Sequence, residues 1–530
     1  MTRVLQMKIN FSNQFQALSD RYGECEALVN VERNRRFTFA ELHRISNQIV
    51  NMLRDTLGLK AGDRFVNILE NDNMALLNAP TILKGDITGA FTNFRDSLEE
   101  HTWQVDFAKP KVVFIENSLI DSHYAMLREK QITVICMDPI DQPKEGLFYF
   151  WELVEAASSE NPNIEIDDRE HPLLIRFTGG TTGKGKPALY CADNWFGLRD
   201  GIYALDESDW NTKSRMLHLA PISHGSGMFV VPVFFAGGCN ITLNEPDLAQ
   251  YCQVIEREQV THAMMVPTLL YRLLELPEAR YSDLSSLQNM FYGAAPMSPS
   301  KLKHLQEQFG NIFIQVYGST EHFCLALSLS KADHCVDTQT ENRLASAGRI
   351  TAGVEVVVMD EEGNPVPKGQ LGEFWLRSRG TCLGYLDNPE KTAEEFCNGY
   401  WKSGDMGYID EQGFAFIVDR KKDMIISGGF NIYATEVEAV INAHEAVLMS
   451  AVVGVPHEDW GEAVHAEVML CDGKTLDKKE LISLVKDTLG SYKAPKAVTV
   501  VDQLPVSAVG KVLRKDVRQK YWQDVERQVG

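Results

Sequence analysis

The run Arg176-Phe177-Thr178-Gly179-Gly180-Thr181-Thr182-Gly183-Lys184-Gly185-Lys186 gathers four glycines, three threonines and two lysines into one stretch. Glycines let backbone N–H groups converge on a single anion, hydroxyls add donors, and lysine brings charge on a slender stem. This composition suits phosphate binding; a flexible surface turn is the plainer alternative. Gly180, Gly185 and Lys186 fit the opening of G-x-x-x-x-G-K-[ST]. Pro187 stands where that motif needs a magnesium-binding hydroxyl, so the P-loop reading fails at its last position.

Other stretches along the chain carry groups of complementary type. Gln315-Val316-Tyr317-Gly318-Ser319-Thr320-Glu321 follows a strand-like run and offers an aromatic ring, hydroxyls and a carboxylate. Tyr292-Gly293-Ala294-Ala295-Pro296 is small enough to admit a flat ring, and Trp401-Lys402-Ser403-Gly404-Asp405 ends on a carboxylate. Asp419-Arg420-Lys421-Lys422-Asp423 precedes Gly428-Gly429-Phe430-Asn431, and Leu504-Pro505-Val506-Ser507-Ala508-Val509-Gly510-Lys511-Val512-Leu513-Arg514 lies near the end. Each is unremarkable alone: a turn, a solvated charge run, a surface lysine.

Taken in order, these stretches resemble the adenylate-forming superfamily, the AMP-dependent synthetases and ligases that include acyl-CoA synthetases, luciferases and the adenylation domains of peptide synthetases. The loop resembles the family's [ST]-[SG]-G-[ST]-[TS]-G-x-P-K, with Gly179 where serine is usual and Gly185-Lys186-Pro187 in place of Pro-Lys-Gly. The later stretches are similar to its Y-G-x-T-E, [WY]-x-[ST]-G-D and L-P-x-[ST]-x-x-G-K-[VI]-x-R elements.

The resemblance implies roles. Thr178, Gly179, Gly180, Thr181, Thr182, Gly183 and Lys186 cradle the phosphates of ATP. Gly293, Ala294 and Ala295 pass the adenine and one wall of the acid pocket, and Tyr317 and Gly318 lie near the adenine. Asp405 takes the ribose hydroxyls and Arg420 touches the nucleotide. Thr320 contacts the α-phosphate, and Glu321, with Thr181, holds Mg2+. Lys511 is the catalytic lysine, its ammonium offsetting the repulsion between a carboxylate and the α-phosphate. His224, in Pro221-Ile222-Ser223-His224-Gly225-Ser226-Gly227, completes the catalytic set as a gate or wall of the pocket, with a satisfied core histidine as the alternative. Lys422 would be the pivot of a mobile C-terminal domain, and Gly428 and Gly429 would meet the pantetheine of coenzyme A.

The elements that must position these groups follow an α/β rhythm. Strand-like runs at 112–115, 133–136 and 313–317 alternate with helical patterns, and Thr38 with Glu41 forms a capping box ahead of Leu42, Ile45, Ile49 and Leu53 on one face. Runs at 354–358 and 372–376, split by the turn Asp360-Glu361-Glu362-Gly363-Asn364-Pro365, read as a β-rich subdomain. After the charge run come a strand at 424–426, a helix at 435–443, a strand at 449–455, a helix at 478–489 and a strand at 497–501. The expected fold is therefore α/β: a large multi-subdomain N-terminal adenylation domain, residues 1–419, and a small α+β lid, residues 420–530.

Composition bounds the partners. Seventy-three acidic against 52 basic side chains leave a formal charge of −21, which speaks against nucleic acid or an anionic membrane. No 18-residue apolar run occurs, so no integral membrane segment is expected and the cytoplasm is the expected location. Ten cysteines without a C-x-x-C pair read as buried small apolar residues. A homodimer is compatible with all of this.

The function these readings imply is ligation of a fatty or aryl carboxylic acid to coenzyme A through an acyl-adenylate. Apolar and small residues at Phe229, Val230, Val231, Gly293 and Ala294 suit an uncharged tail. Loading of a carrier protein is the alternative within the family; His224-Gly225-Ser226 replaces the aspartate expected of an amino-acid pocket, and no carrier domain follows Gly530. A nucleotide hydrolase or a non-catalytic adenylate-binding protein would be the alternatives of another class.

Overall fold

Val112–Ile115 (VVFI) and Thr133–Cys136 (TVIC) are apolar at nearly every position, a pattern that suits only strands covered on both faces. In the computed structural model, which describes residues 8–522 apart from 78, 141, 168–170, 179–184, 338–339 and 508–509, they lie side by side in a parallel sheet. Among the described residues that sheet has seven strands, ordered Pro187–Tyr190, Leu174–Phe177, Thr88–Phe91, Arg64–Ile68, Val112–Ile115, Thr133–Cys136, Leu147–Tyr149. Only the pairing of Leu174–Phe177 with Pro187–Tyr190 is antiparallel.

A second sheet of nine strands has a parallel centre ordered Phe313–Tyr317, Asn289–Gly293, His262–Met265, Arg215–His218, Cys239–Thr242 and Glu26–Asn30, with antiparallel strands at both edges. Phe65 and Phe114 of the first sheet share one core with Phe291 and Ile314 of the second. Helix Phe39–Asn51 adds Leu42, Ile45 and Ile49 to that core. Burying each such side chain contributes about 1.5–3 kcal/mol before entropy is subtracted. The helix starts where the sequence implies: the Thr38 hydroxyl accepts from the Glu41 N–H at 3.2 Å, and the Glu41 carboxylate accepts from the Thr38 N–H at 2.9 Å.

The antiparallel strands Glu355–Met359, Gly372–Arg377, Phe396–Cys397, Tyr400–Ile409 and Ala415–Arg420 form the β-rich sheet. Beyond Lys421–Asp423 a fourth sheet begins with Ile425–Ser427 and Phe430–Ile432 and continues through Val447–His457, Gly461–Leu470 and Ala497–Val500. Helices Ala434–Asn442 and Lys478–Leu489 cover it, closing a core of its own around Val437, Val452, Val464 and Leu481. This C-terminal unit also packs Leu448, Met449, Leu504 and Val517 into the apolar cluster of helix Pro267–Glu275. Arg514 ties it to the preceding sheet, 2.8 Å from Asp419 Oδ1 and 2.8 Å from Glu438 Oε1. The α/β plan, with its large multi-sheet N-terminal part, β-rich sheet and small α+β tail, is the one the sequence implies.

Pro187 opens a strand, opposite Phe177. One local reading changes. Seven of the cysteines are buried, but Cys25 and Cys335 are exposed and Cys397 is half-buried, so the ten are not uniformly core residues. Among the described residues no helix is long and apolar enough to cross a membrane.

Candidate functional site

The parallel strands of the second sheet end at His218, Met265, Gly293 and Tyr317, and in an open α/β sheet ligands gather beyond such carboxyl ends. The β-rich sheet brings Asp405 to this edge. The Tyr317 hydroxyl donates to Asp405 Oδ2 at 2.5 Å, and Arg420 Nε lies 3.2 Å from Asp405 Oδ1. Burial and then the Asp405 charge raise the Tyr317 phenol well above its usual value, so it serves as a donor. Burial disfavours the Arg420 charge, but Asp405 and Asp423 more than offset it and hold the guanidinium above its ordinary value.

Lys511 reaches the same place from the end of the chain. The Lys511 N–H donates to Ser507 Oγ at 3.2 Å, and Thr268 Oγ1, on helix Pro267–Glu275, donates to the Gly510 carbonyl at 2.7 Å. Burial, then the Arg420 charge, bring the Lys511 ammonium down to about 8, with Asp405 opposing. His224 is held neutral, pushed down to about 3 by burial and then by the charges of Arg176 and Lys511. Lys511 is thus within electrostatic reach of Asp405, Arg420 and His224, although the chain separates it widely from them.

The strands on either side of the glycine and threonine loop, Leu174–Phe177 and Pro187–Tyr190, pair antiparallel. The Thr178 N–H donates to the Lys186 carbonyl at 2.9 Å, and the Lys186 N–H donates to Thr178 Oγ1 at 3.0 Å. At Gly185 a Cβ would stand 2.1 Å from the Thr178 carbonyl oxygen, so only glycine fits there. An antiparallel strand pair differs from the strand–loop–helix of a P-loop. Gly179, Gly180, Thr181, Thr182 and Gly183 lie outside the described residues.

Lys186 Nζ lies 2.7 Å from both carboxylate oxygens of Glu395, 3.0 Å from the Tyr385 hydroxyl and 3.8 Å from Glu321 Oε1. The Tyr385 hydroxyl donates to Glu321 at 3.1 Å. Burial raises the Glu321 carboxyl from its ordinary value, and Lys186 offsets part of that rise. Thr320 is half-buried, its carbonyl accepting from the Tyr190 hydroxyl.

Gly293 and Gly318 are glycines for packing. A Cβ at Gly293 would lie 2.0 Å from the Val316 carbonyl oxygen, and one at Gly318 would lie 2.7 Å from that of Cys324. Ala294 is exposed with φ +67, a left-handed conformation that costs a side chain about 1 kcal/mol or more, and Ala295 is half-buried. Phe229, Val230 and Val231 are buried just beyond His224. Gly428 and Gly429 lie elsewhere, in the C-terminal sheet. With φ +57 and +83 they make the two-residue turn between Ile425–Ser427 and Phe430–Ile432, and the Gly428 N–H donates to the Trp460 carbonyl at 2.9 Å.

Sequence reasoning passed over three residues of this site. Arg176 is buried and donates through Nε and an Nη to the Ser223 carbonyl at 3.2 and 2.8 Å and to the His224 carbonyl, clamping the His224 loop. An arginine in the apolar strand LIRF was a usable signal. Tyr385 and Glu395 gave none, since their partner Lys186 is about two hundred residues away in the chain.

Comparison with known proteins identifies the family. The family model described as "AMP-binding enzyme" matches residues 15–386, and that of the "AMP-binding enzyme C-terminal domain" matches 436–511. A medium/long-chain-fatty-acid–CoA ligase of Mycobacterium tuberculosis is 39% identical over 478 residues, 86% of this chain and 82% of that protein. A feruloyl-CoA synthase of an Amycolatopsis species is 32% identical over 496 residues, 91% of this chain and 94% of that protein. Among solved structures, ATP-bound MatB from Rhodopseudomonas palustris superposes with a TM-score of 0.85 at 28% identity, covering 98% of this chain and 100% of that one. The matched models span most of the chain and both of its parts: it belongs to the AMP-binding enzymes, the adenylate-forming superfamily.

Proposed function

We propose that this chain is an AMP-forming acid–thiol ligase that joins a fatty or aryl carboxylic acid to ATP, giving acyl-adenylate and pyrophosphate, and then passes the acyl group to coenzyme A. One observation supports the reading above all: Asp405, Arg420 and the distant Lys511 form one electrostatic cluster beside the strand ends. A free carboxylate resists thiol attack because it would have to expel oxide; AMP is the better leaving group.

In the first half-reaction the acid's oxygen attacks the α-phosphorus and pyrophosphate leaves. Lys511, placed between two anions, offsets their repulsion and stabilises the charge that builds on phosphorus, and Thr320 and Arg420 steady the phosphate. Asp405 accepts from the ribose hydroxyls, and Tyr317, Gly318, Gly293, Ala294 and Ala295 border the adenine. Thr178 and Lys186 hold the ends of the phosphate loop. Glu321, a buried carboxyl whose ionised form calls for a cation, fits Mg2+, with Thr181 as its partner. The metal's charge neutralises the triphosphate.

In the second half-reaction the thiolate attacks the acyl carbon and AMP departs. Residues 420–530 turn about Lys422 between the steps, withdrawing Lys511 and bringing Gly428 and Gly429 to the pantetheine arm. Neutral His224, followed in the chain by buried Phe229, Val230 and Val231, makes an apolar wall for the acid. The names of the relatives, ligases of fatty acids and of ferulate, favour coenzyme A as acceptor and an apolar or aromatic acid. The cytoplasm is the location this reading expects.

The test is thioester formation, followed by mass spectrometry, over a panel of fatty, aryl and amino acids with ATP, Mg2+ and coenzyme A. The proposal expects acyl-CoA from at least one fatty or aryl acid and none from amino acids. Thioester formed only on a carrier protein would replace coenzyme A as the acceptor.

A pH dependence follows from Lys511. Its ammonium is the active form and predominates below about 8 in the free protein, so kcat/KM for ATP should fall as pH rises through about 8. Arginine at 511 keeps its charge and should abolish the fall while lowering the rate. A profile flat to pH about 9.5 would contradict the role given to Lys511.

A further inference from the structure

We propose that Glu395 is a latch for the phosphate loop: a positioning residue that holds the Lys186 ammonium away from the triphosphate until MgATP competes it off. This rests on the adenylating function proposed above. Lysine carries three N–H donors, and Lys186 Nζ has three acceptors at hydrogen-bond distance: Glu395 Oε1 and Oε2, each at 2.7 Å, and the Tyr385 hydroxyl at 3.0 Å. No donor is left for a phosphate while the latch is closed. Glu395 is ionised in this state: burial would raise its carboxyl, but hydrogen bonds from Lys186 and Tyr385 outweigh it.

Opening the latch leaves nothing orphaned. Lys391, one helical turn earlier on Pro389–Glu395, has its Nζ 3.3 Å from Glu395 Oε1 and remains as counter-charge. The Tyr385 hydroxyl, whose single hydrogen has Glu395 and Glu321 as alternative acceptors, also stays. Glu321 Oε1, 3.8 Å from the ammonium, takes no part in the three-acceptor shell. Glu395 therefore has an alternative partner in the open state, while Lys186 finds in the triphosphate a more highly charged one. This is the arrangement of a two-state contact rather than of a permanent structural ion pair.

The experiment measures MgATP affinity by titration calorimetry on the full chain, with acid-dependent pyrophosphate exchange run in parallel. Glu395→Gln keeps the shape and removes the charge, and should tighten MgATP binding by about three- to tenfold. KM for ATP should fall in step, with kcat nearly unchanged. In a Lys186→Ala background the same substitution should change affinity less than twofold, an independence that a general structural role would not produce. Tyr385→Phe, which removes one acceptor, should shift affinity in the same direction by less, and serves if Glu395→Gln does not fold. Unchanged or weaker MgATP binding by Glu395→Gln, with wild-type exchange intact, would overturn the latch and leave the adenylating function standing. Absence of acid-dependent exchange in the wild type would overturn that function, and the latch with it.

Discussion

Replacing Lys511 by alanine should slow acyl-adenylate formation by about 10²- to 10³-fold, the usual loss when one preorganised charge is removed from a reacting phosphate. The effect is electrostatic. The acid must bring a carboxylate up to an anionic phosphorus, and in a buried site that repulsion is poorly screened. Lys511, half-buried and held by the Ser507 and Thr268 contacts, is the cation that the C-terminal unit delivers to the cluster. The substitution should spare stability, because the burial that lowers its pKa shows the ammonium to be held at a cost. Supplied with ready-made acyl-adenylate and coenzyme A, the variant should form thioester within a few-fold of the wild-type rate. Equal losses in both half-reactions would mean that Lys511 supports the fold rather than the first step.

Replacing Asp405 by alanine should raise KM for ATP by about 30- to 100-fold. Two charge-assisted hydrogen bonds from ribose hydroxyls are removed, of which about 2–3 kcal/mol would be lost in net binding. Arg420 and the buried Tyr317 hydroxyl lose their shared acceptor at the same time, so some of the loss will appear as stability. Asparagine at 405 keeps an acceptor for Tyr317 and separates the effects: KM should stay high while the melting temperature recovers. Steady-state kinetics and thermal unfolding of the two variants read this directly, and a normal KM in Asp405→Asn would contradict the ribose role.

Much of the architecture was legible because it is local. The runs VVFI and TVIC announce covered strands, and Thr38 with Glu41 marks a helix start within four residues of chain. The candidate groups were legible as spaced types, a carboxylate after Ser-Gly, a lysine after Gly near the end. What could not be read is what those groups do to one another. Glu395 meets Lys186 across 209 positions, and Arg176 meets the Ser223 carbonyl across 47. No periodicity or motif encodes such a pairing; it exists only once the two sheets and the β-rich sheet have packed. The exposed Cys25 and Cys335 show the same limit from the other side, since burial is a property of the tertiary packing and not of the residue type.

In the function proposed, a glycine- and threonine-rich stretch and a distant terminal lysine serve one nucleotide as it reacts with a carboxylic acid. Isotope exchange between labelled pyrophosphate and ATP, run without coenzyme A and with and without a fatty or aryl acid, tests it most directly. The account predicts exchange that requires the acid and that Lys511→Ala slows by about 10²- to 10³-fold. Exchange without any acid, or release of phosphate in place of exchange, would contradict it.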